Sequence, residues 1–216
     1  MGWWCALLAA LLGLVSSWWL RTRRYRYEDD EVQRTLSPWW LPGVAVVGTV
    51  LGLPFYAGVP TPVGVTYVVA LVWAVTLAFI DLEVRRLPDV LTLPAYPVAA
   101  VLLATCSGSS GEWLPLARAA ACAGVAVAAY FLLVLVSPGG SGLGWGDVKL
   151  AGVLAGLLGW FSWYNALLGL LTGFIVGGLA AAVLLLSGRA GRTSHLSFGP
   201  AMVVGAYLWA LLLPSS

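Results

Sequence analysis

The chain has 216 residues and a formal net charge of +2; 61% of the residues are hydrophobic, 9% are charged, and the mean hydropathy is +0.93. Soluble domains carry roughly 25% charged residues, so this composition excludes a soluble globular protein and predicts an integral membrane one. The small net charge, confined to short loops, gives no reason to expect a nucleic-acid partner.

A spanning helix needs about 20 mainly apolar residues. In chain order such stretches run over about residues 3–20, 39–58, 63–82, 90–106, 115–137, 147–163, 165–187 and 199–213, which predicts an all-α, polytopic transmembrane helical bundle of about eight spans embedded in a lipid bilayer. The eighth is the shortest, followed by the fourth and the sixth. Apolar length is spread along the whole chain and the first run lacks a cleavage-like ending, so no removable leader is expected.

Eight spans with the N-terminus outside put alternate loops in the cytoplasm. Arg21, Arg23, Arg24, Arg26 and Arg34 then fall in the first loop, Arg85 and Arg86 in the third, Lys149 by the fifth, and Arg189 and Arg192 in the seventh. Ten of the eleven Lys and Arg residues are inside on this arrangement, as the positive-inside tendency requires. Arg118 alone falls outside, where it can snorkel to the interface. Both termini are expected outside.

Pro42 and Pro54 interrupt the second segment, and Pro94 and Pro97 the fourth, so kinks there should free backbone groups and leave room for a water-containing cavity. Trp3, Trp4, Trp18, Trp19, Trp39, Trp40, Trp113, Trp160 and Trp163 stand near segment ends and suit interfacial belts. The cysteines, Cys5, Cys106 and Cys122, are isolated, with no metal-ligand spacing, so neither zinc nor a disulfide framework is expected. No cofactor and no metal are expected.

Two acids stand out. Asp81 ends an apolar run, and Asp147 lies in Gly144-Trp145-Gly146-Asp147, between a glycine loop and the start of an apolar segment. Ionisable groups at membrane depth mark function by default. The predicted topology puts both at the cytoplasmic face. Two adjacent carboxylates can hold a single proton between them near neutral pH. The ionised one can then take a proton from water while the protonated one polarises a scissile carbonyl, so no metal or nucleophilic side chain is needed.

Each acid also has a local explanation. Asp147 can cap the sixth segment, and Asp81 can be an exposed turn residue paired with Arg85. Glu83 and Asp89 are rivals for membership of the pair, Asp89 the stronger, although Asp89 after Pro88 can cap a helix. Glu28-Asp29-Asp30-Glu31 is read as a solvated loop. His195, the only histidine, lacks a second ligand or nucleophile pattern. The glycines from Gly142 to Gly146 lack phosphate-loop spacing and are expected to give flexibility.

Three stretches carry a family resemblance: Asp81-Leu82-Glu83-Val84-Arg85-Arg86-Leu87-Pro88-Asp89-Val90-Leu91-Thr92-Leu93-Pro94, Gly144-Trp145-Gly146-Asp147-Val148-Lys149-Leu150, and Phe198-Gly199-Pro200. Together they resemble the type IV prepilin peptidases, GxGD-type membrane aspartyl proteases, over about residues 65–210. The resemblance implies that Asp81 and Asp147 are catalytic, that Asp89, Lys149, Gly144 and Gly146 support them, and that the substrate is a prepilin or pseudopilin-like membrane protein cut at the cytoplasmic face of the cell (plasma or inner) membrane. It divides one continuous membrane domain into N-terminal spans over residues 1–62 and a peptidase core over 63–216.

Long family members also carry a cytoplasmic domain with paired cysteines and methylate the new N-terminus. The first loop here, about residues 21–38, has no cysteine and is short for a separate domain of roughly 50 residues, so N-methylation is not expected of it. The alternatives are another GxGD protease, although Ile80 precedes Asp81 where the presenilin-like group resembles Tyr-Asp; a small proton-coupled transporter; and a structural module with both acids as caps.

Overall fold

The structure, a computed structural model, describes residues 3–26, 32, 35–136, 143–187 and 197–212. The acidic stretch at residues 28–31, Gly142 and His195 lie outside the described residues. Inside a bilayer only a helix or a closed barrel satisfies its own backbone, and every secondary-structure element described here is helical. The elements are α1 (Trp3–Arg21), α2 (Trp40–Leu51), α3 (Leu53–Gly58), α4 (Thr61–Val84), α5 (Asp89–Thr92), α6 (Ala95–Ser110), α7 (Leu114–Val136), α8 (Trp145–Phe161), α9 (Trp163–Leu186) and α10 (Gly199–Leu211).

Each predicted segment overlaps a helix, the second being α2 with α3 and the fourth α5 with α6. Five stretches are long and apolar enough to cross a membrane: α1, α4, α5 with α6, α7 and α9. Two shorter apolar helices, α2 and α10, accompany them. The protein is therefore a multi-pass membrane protein.

The prolines do not kink helix interiors as expected. Pro42, Pro54 and Pro97 all stand in the first turns of α2, α3 and α6, where a missing N–H removes no helical bond, and Pro94 lies between α5 and α6. A cavity of about 190 Å³ lies beside Pro94, but Trp73, Leu91, Val98 and other apolar groups line most of it. At the break between α5 and α6, the Trp73 indole donates to Leu91 O at 3.0 Å.

The packing places two helices at the centre. α4 lies against α1, α2, α6 and α10, and its buried residues run from Val63 to Val84. α8 packs on α7 and α9 and is buried from Asp147 to Gly159 except at Lys149. The outer helices α7 and α9 expose Leu, Val and Ile side chains, as lipid-facing helices do. α9 and α10 touch through glycine: a Cβ at Gly205 would come within 2.4 Å of Gly173 N, the close approach that small residues allow between membrane helices.

Polar groups fix the bundle ends. Arg118 donates from Nε to Gly159 O at 2.7 Å and from its terminal nitrogen to Trp160 O and to Phe161 O, the latter at 2.7 Å. It thereby caps the last carbonyls of α8, the end where a cation is favoured. The tryptophans split. Trp3, Trp18, Trp39, Trp40, Trp113 and Trp163 are exposed, whereas Trp4, Trp19 and Trp160 pack against the core.

Candidate active site

Asp81 lies in the last turn of α4. It is not the exposed turn residue that its sequence setting allowed: it is 5% exposed. Its Oδ2 accepts from the Ser197 hydroxyl at 2.5 Å and from the Gly199 N–H at 2.9 Å. Gly199 opens α10, so Asp81 occupies the N-terminus of another helix, where unpaired N–H groups and the dipole favour a carboxylate. A Cβ at Gly199 would stand 2.8 Å from Asp81 Oδ2. Glycine is thus what lets the α10 backbone reach the acid.

Asp147 is in the first turn of α8 and is also buried. It does serve as a cap, but by reaching back: its Oδ2 accepts from the Gly144 N–H at 3.0 Å. Gly144 has an ordinary extended backbone, φ −82° and ψ 155°, so its part is to supply that N–H rather than flexibility. Gly146 serves close packing, since a Cβ there would fall 2.7 Å from Leu87 Cβ. The loop that follows Asp81 is therefore pressed onto the turn that holds Asp147.

The two supporting charges meet in the same place. Lys149 Nζ donates to Asp89 Oδ1 at 2.5 Å, joining α8 to α5. Asp89 makes no side-chain cap for α5, against the capping role its sequence position allowed. Nearby, the Tyr96 hydroxyl donates to Lys149 O at 2.8 Å. These ties bring α4, α5, α6, α8 and α10 to one end of the bundle, and there Asp81 acts electrostatically on Asp147. Arg85, in the left-handed region at φ 52°, ends α4 and also acts electrostatically on Asp81.

Glu83 is separate from this pair. Two residues along a helix is about 200° of rotation, and Glu83 faces the α1 side, where it accepts from the Tyr25 hydroxyl at 2.5 Å and forms an ion pair with Arg26. Burial and the adjoining Glu83 carboxylate push the Tyr25 phenol up to about 12, so it is a neutral donor. Sequence reading did not assign Ser197 to Asp81, nor Tyr25 and Arg26 to Glu83. It also passed over Tyr130, which is 3% exposed and lies within electrostatic range of Asp147.

The geometry sets out what an acid pair needs: two buried carboxylates from separate helices, each positioned by backbone donors. The sequence pattern of the type IV leader peptidase family matches residues 68–186, more than half of the chain. This chain belongs to the type IV leader peptidase family. It is similar to the prepilin leader peptidase/N-methyltransferase of Neisseria gonorrhoeae, with 31% identity over 137 residues, 62% of this chain and 44% of that protein. The protein of the same name from Pseudomonas putida is 32% identical over 143 residues, 64% of this chain and 44% of that one. The one from Aeromonas salmonicida is 33% identical over 143 residues, 64% and 46% respectively. The match thus spans less than half the length of these relatives. No solved structure is a significant match. The family match takes in Asp81, Asp89, Gly144, Gly146, Asp147 and Lys149 and stops before Ser197 and Gly199.

Proposed function

We propose that this chain is a membrane-embedded aspartyl endopeptidase of the GxGD type, which removes the short leader of type IV prepilin-like preproteins. The observation that carries the proposal is that Asp81 and Asp147, two buried acids on different helices, stand at one end of the bundle, with Asp81 acting electrostatically on Asp147. Family membership and the names of the relatives support the reaction and the substrate class.

Asp81, whose Oδ2 already accepts two hydrogen bonds, is the member suited to the anionic role. It takes a proton from a bound water, and the resulting hydroxide attacks the scissile carbonyl carbon. Asp147, protonated, donates a hydrogen bond to the carbonyl oxygen and keeps its proton. Collapse of the tetrahedral intermediate breaks the C–N bond, with the proton on Asp81 passing to the leaving amine. Asp89 and Lys149 tie α5 to α8, and Gly144 and Gly146 shape the turn around Asp147. The proposal is confined to hydrolysis and assigns no methyl transfer.

The same reading holds that residues 63–216 form the peptidase core and residues 1–62 its N-terminal spans. The chain would cross the inner membrane about eight times, with both termini outside and the acids at the cytoplasmic face. The grouping of Arg26, Arg85 and Lys149 around Glu83, Asp81 and Asp89 supports that orientation.

The test is leader cleavage of a co-expressed prepilin from the same genome by the native chain, Asp81→Asn and Asp147→Asn. The native chain should process it and both variants should not; normal processing by either variant would end the proposal.

A further inference from the structure

Among the described residues, two buried side-chain polar atoms have no hydrogen-bond partner: Arg26 Nε, in the Glu83 clamp, and the Tyr130 hydroxyl. The second has no evident structural purpose. Tyr130 is 3% exposed, and leaving a buried hydroxyl unpaired costs free energy that a phenylalanine would avoid.

Its position follows from the register of α7 against α8, which run antiparallel. Arg118 meets Gly159, Ala123 packs on Gly156, Val127 on Gly152, and the Phe131 ring lies 5.7 Å from that of Trp145. Tyr130, between the last two contacts, is thus opposite the first turn of α8, which holds Asp147. Its ring is held by Phe174 at 5.2 Å, and Phe174 by Phe198 at 5.1 Å. Phe198 lies between Ser197 and Gly199, the two donors to Asp81. The phenol is therefore braced from the Asp81 side while its hydroxyl lies in the neighbourhood of Asp147 without bonding to it.

We propose that Tyr130 is a further catalytic residue, whose hydroxyl donates a hydrogen bond to the scissile carbonyl oxygen of the substrate alongside Asp147. This rests on the peptidase reading above. The bound peptide supplies the acceptor that the hydroxyl lacks. As the carbonyl carbon becomes tetrahedral, negative charge grows on its oxygen, and a fixed donor in a buried site stabilises that charge more than it stabilises the ground state. Tyr130 transfers no proton in this scheme.

The experiment compares the native chain, Tyr130→Phe and Asp147→Asn, purified as full chains in detergent, on prepilins encoded in the same genome. Leader cleavage gives kcat and KM, and thermal unfolding gives stability. Tyr130→Phe keeps the ring against Phe174, so it should unfold at the native temperature or above. Its kcat should fall about 100-fold or more, as losing one oxyanion donor does, with KM within about twofold. An unchanged kcat, a change confined to KM, or a lower unfolding temperature would overturn the proposal. A native chain that cleaves none of these prepilins would remove the peptidase reading and this proposal with it. A native chain that cleaves, an inactive Asp147→Asn and an unaffected Tyr130→Phe would remove this proposal alone.

Discussion

Asp81 and Glu83 are two residues apart on α4, and both are buried, at 5% and 1% exposure. Glu83 has a cation of its own, Arg26, and a phenol donor, Tyr25. The hydrogen-bond partners of Asp81 are neutral, a hydroxyl and a backbone N–H; Arg85 acts on it only electrostatically, and Asp147 is a carboxylate within reach of its charge. A buried acid with a dedicated cation is saturated and holds the fold, here by fastening the chain after α1 to α4. A buried acid with neutral donors and another acid near it is the arrangement that the proposed chemistry uses. The side of the helix, rather than the residue type, separates the two roles.

Substitutions can break that contrast. The largest effect is expected at the acid pair: Asp81→Asn or Asp147→Asn should lower leader processing by about 10³-fold or more, as loss of an essential catalytic group does, while leaving the protein folded in a detergent unfolding assay. Glu83→Ala should do the reverse. It strands Arg26 and costs about 3 kcal/mol of stability, with kcat per folded molecule within a few-fold of native; an inactive but stable Glu83→Ala would place Glu83 in the chemistry. Gly199→Ala comes next, because its Cβ would meet Asp81 Oδ2 at 2.8 Å. Moving a reacting group by a fraction of an ångström to an ångström should cut kcat by about 10- to 100-fold, and a native rate would show that α10 does not position Asp81. The smallest effect is expected at Lys149→Met. Its partner Asp89 has a side chain 57% exposed, so the pair should contribute less than about 1 kcal/mol and fade in high salt.

Much of this was legible in the sequence. Apolar runs of spanning length and clustered arginines gave helix positions, and the two acids stood out against a chain with so few charges. What could not be read was which face of each helix is buried. α4, α8 and α10 are apolar all round, so their side chains carry no amphipathic signal. The donors to Asp81 also lie 116 and 118 residues away in the chain, and no local pattern links Ser197 to α4. Arg118 follows the same rule: nothing in its own segment shows that the carbonyls of another helix end beside it.

That arginine has a consequence for the whole of α8. At one end Asp147 holds the Gly144 N–H, and at the other Arg118 holds three terminal carbonyls. A helix gripped at both ends cannot slide along its axis or screw by a residue without losing polar contacts that nothing apolar around it would replace. Arg118 on α7 therefore acts as a stop for Asp147 from about 20 Å away, at 1.5 Å per residue, so the placing of that carboxylate is partly set at the far end of a rigid rod.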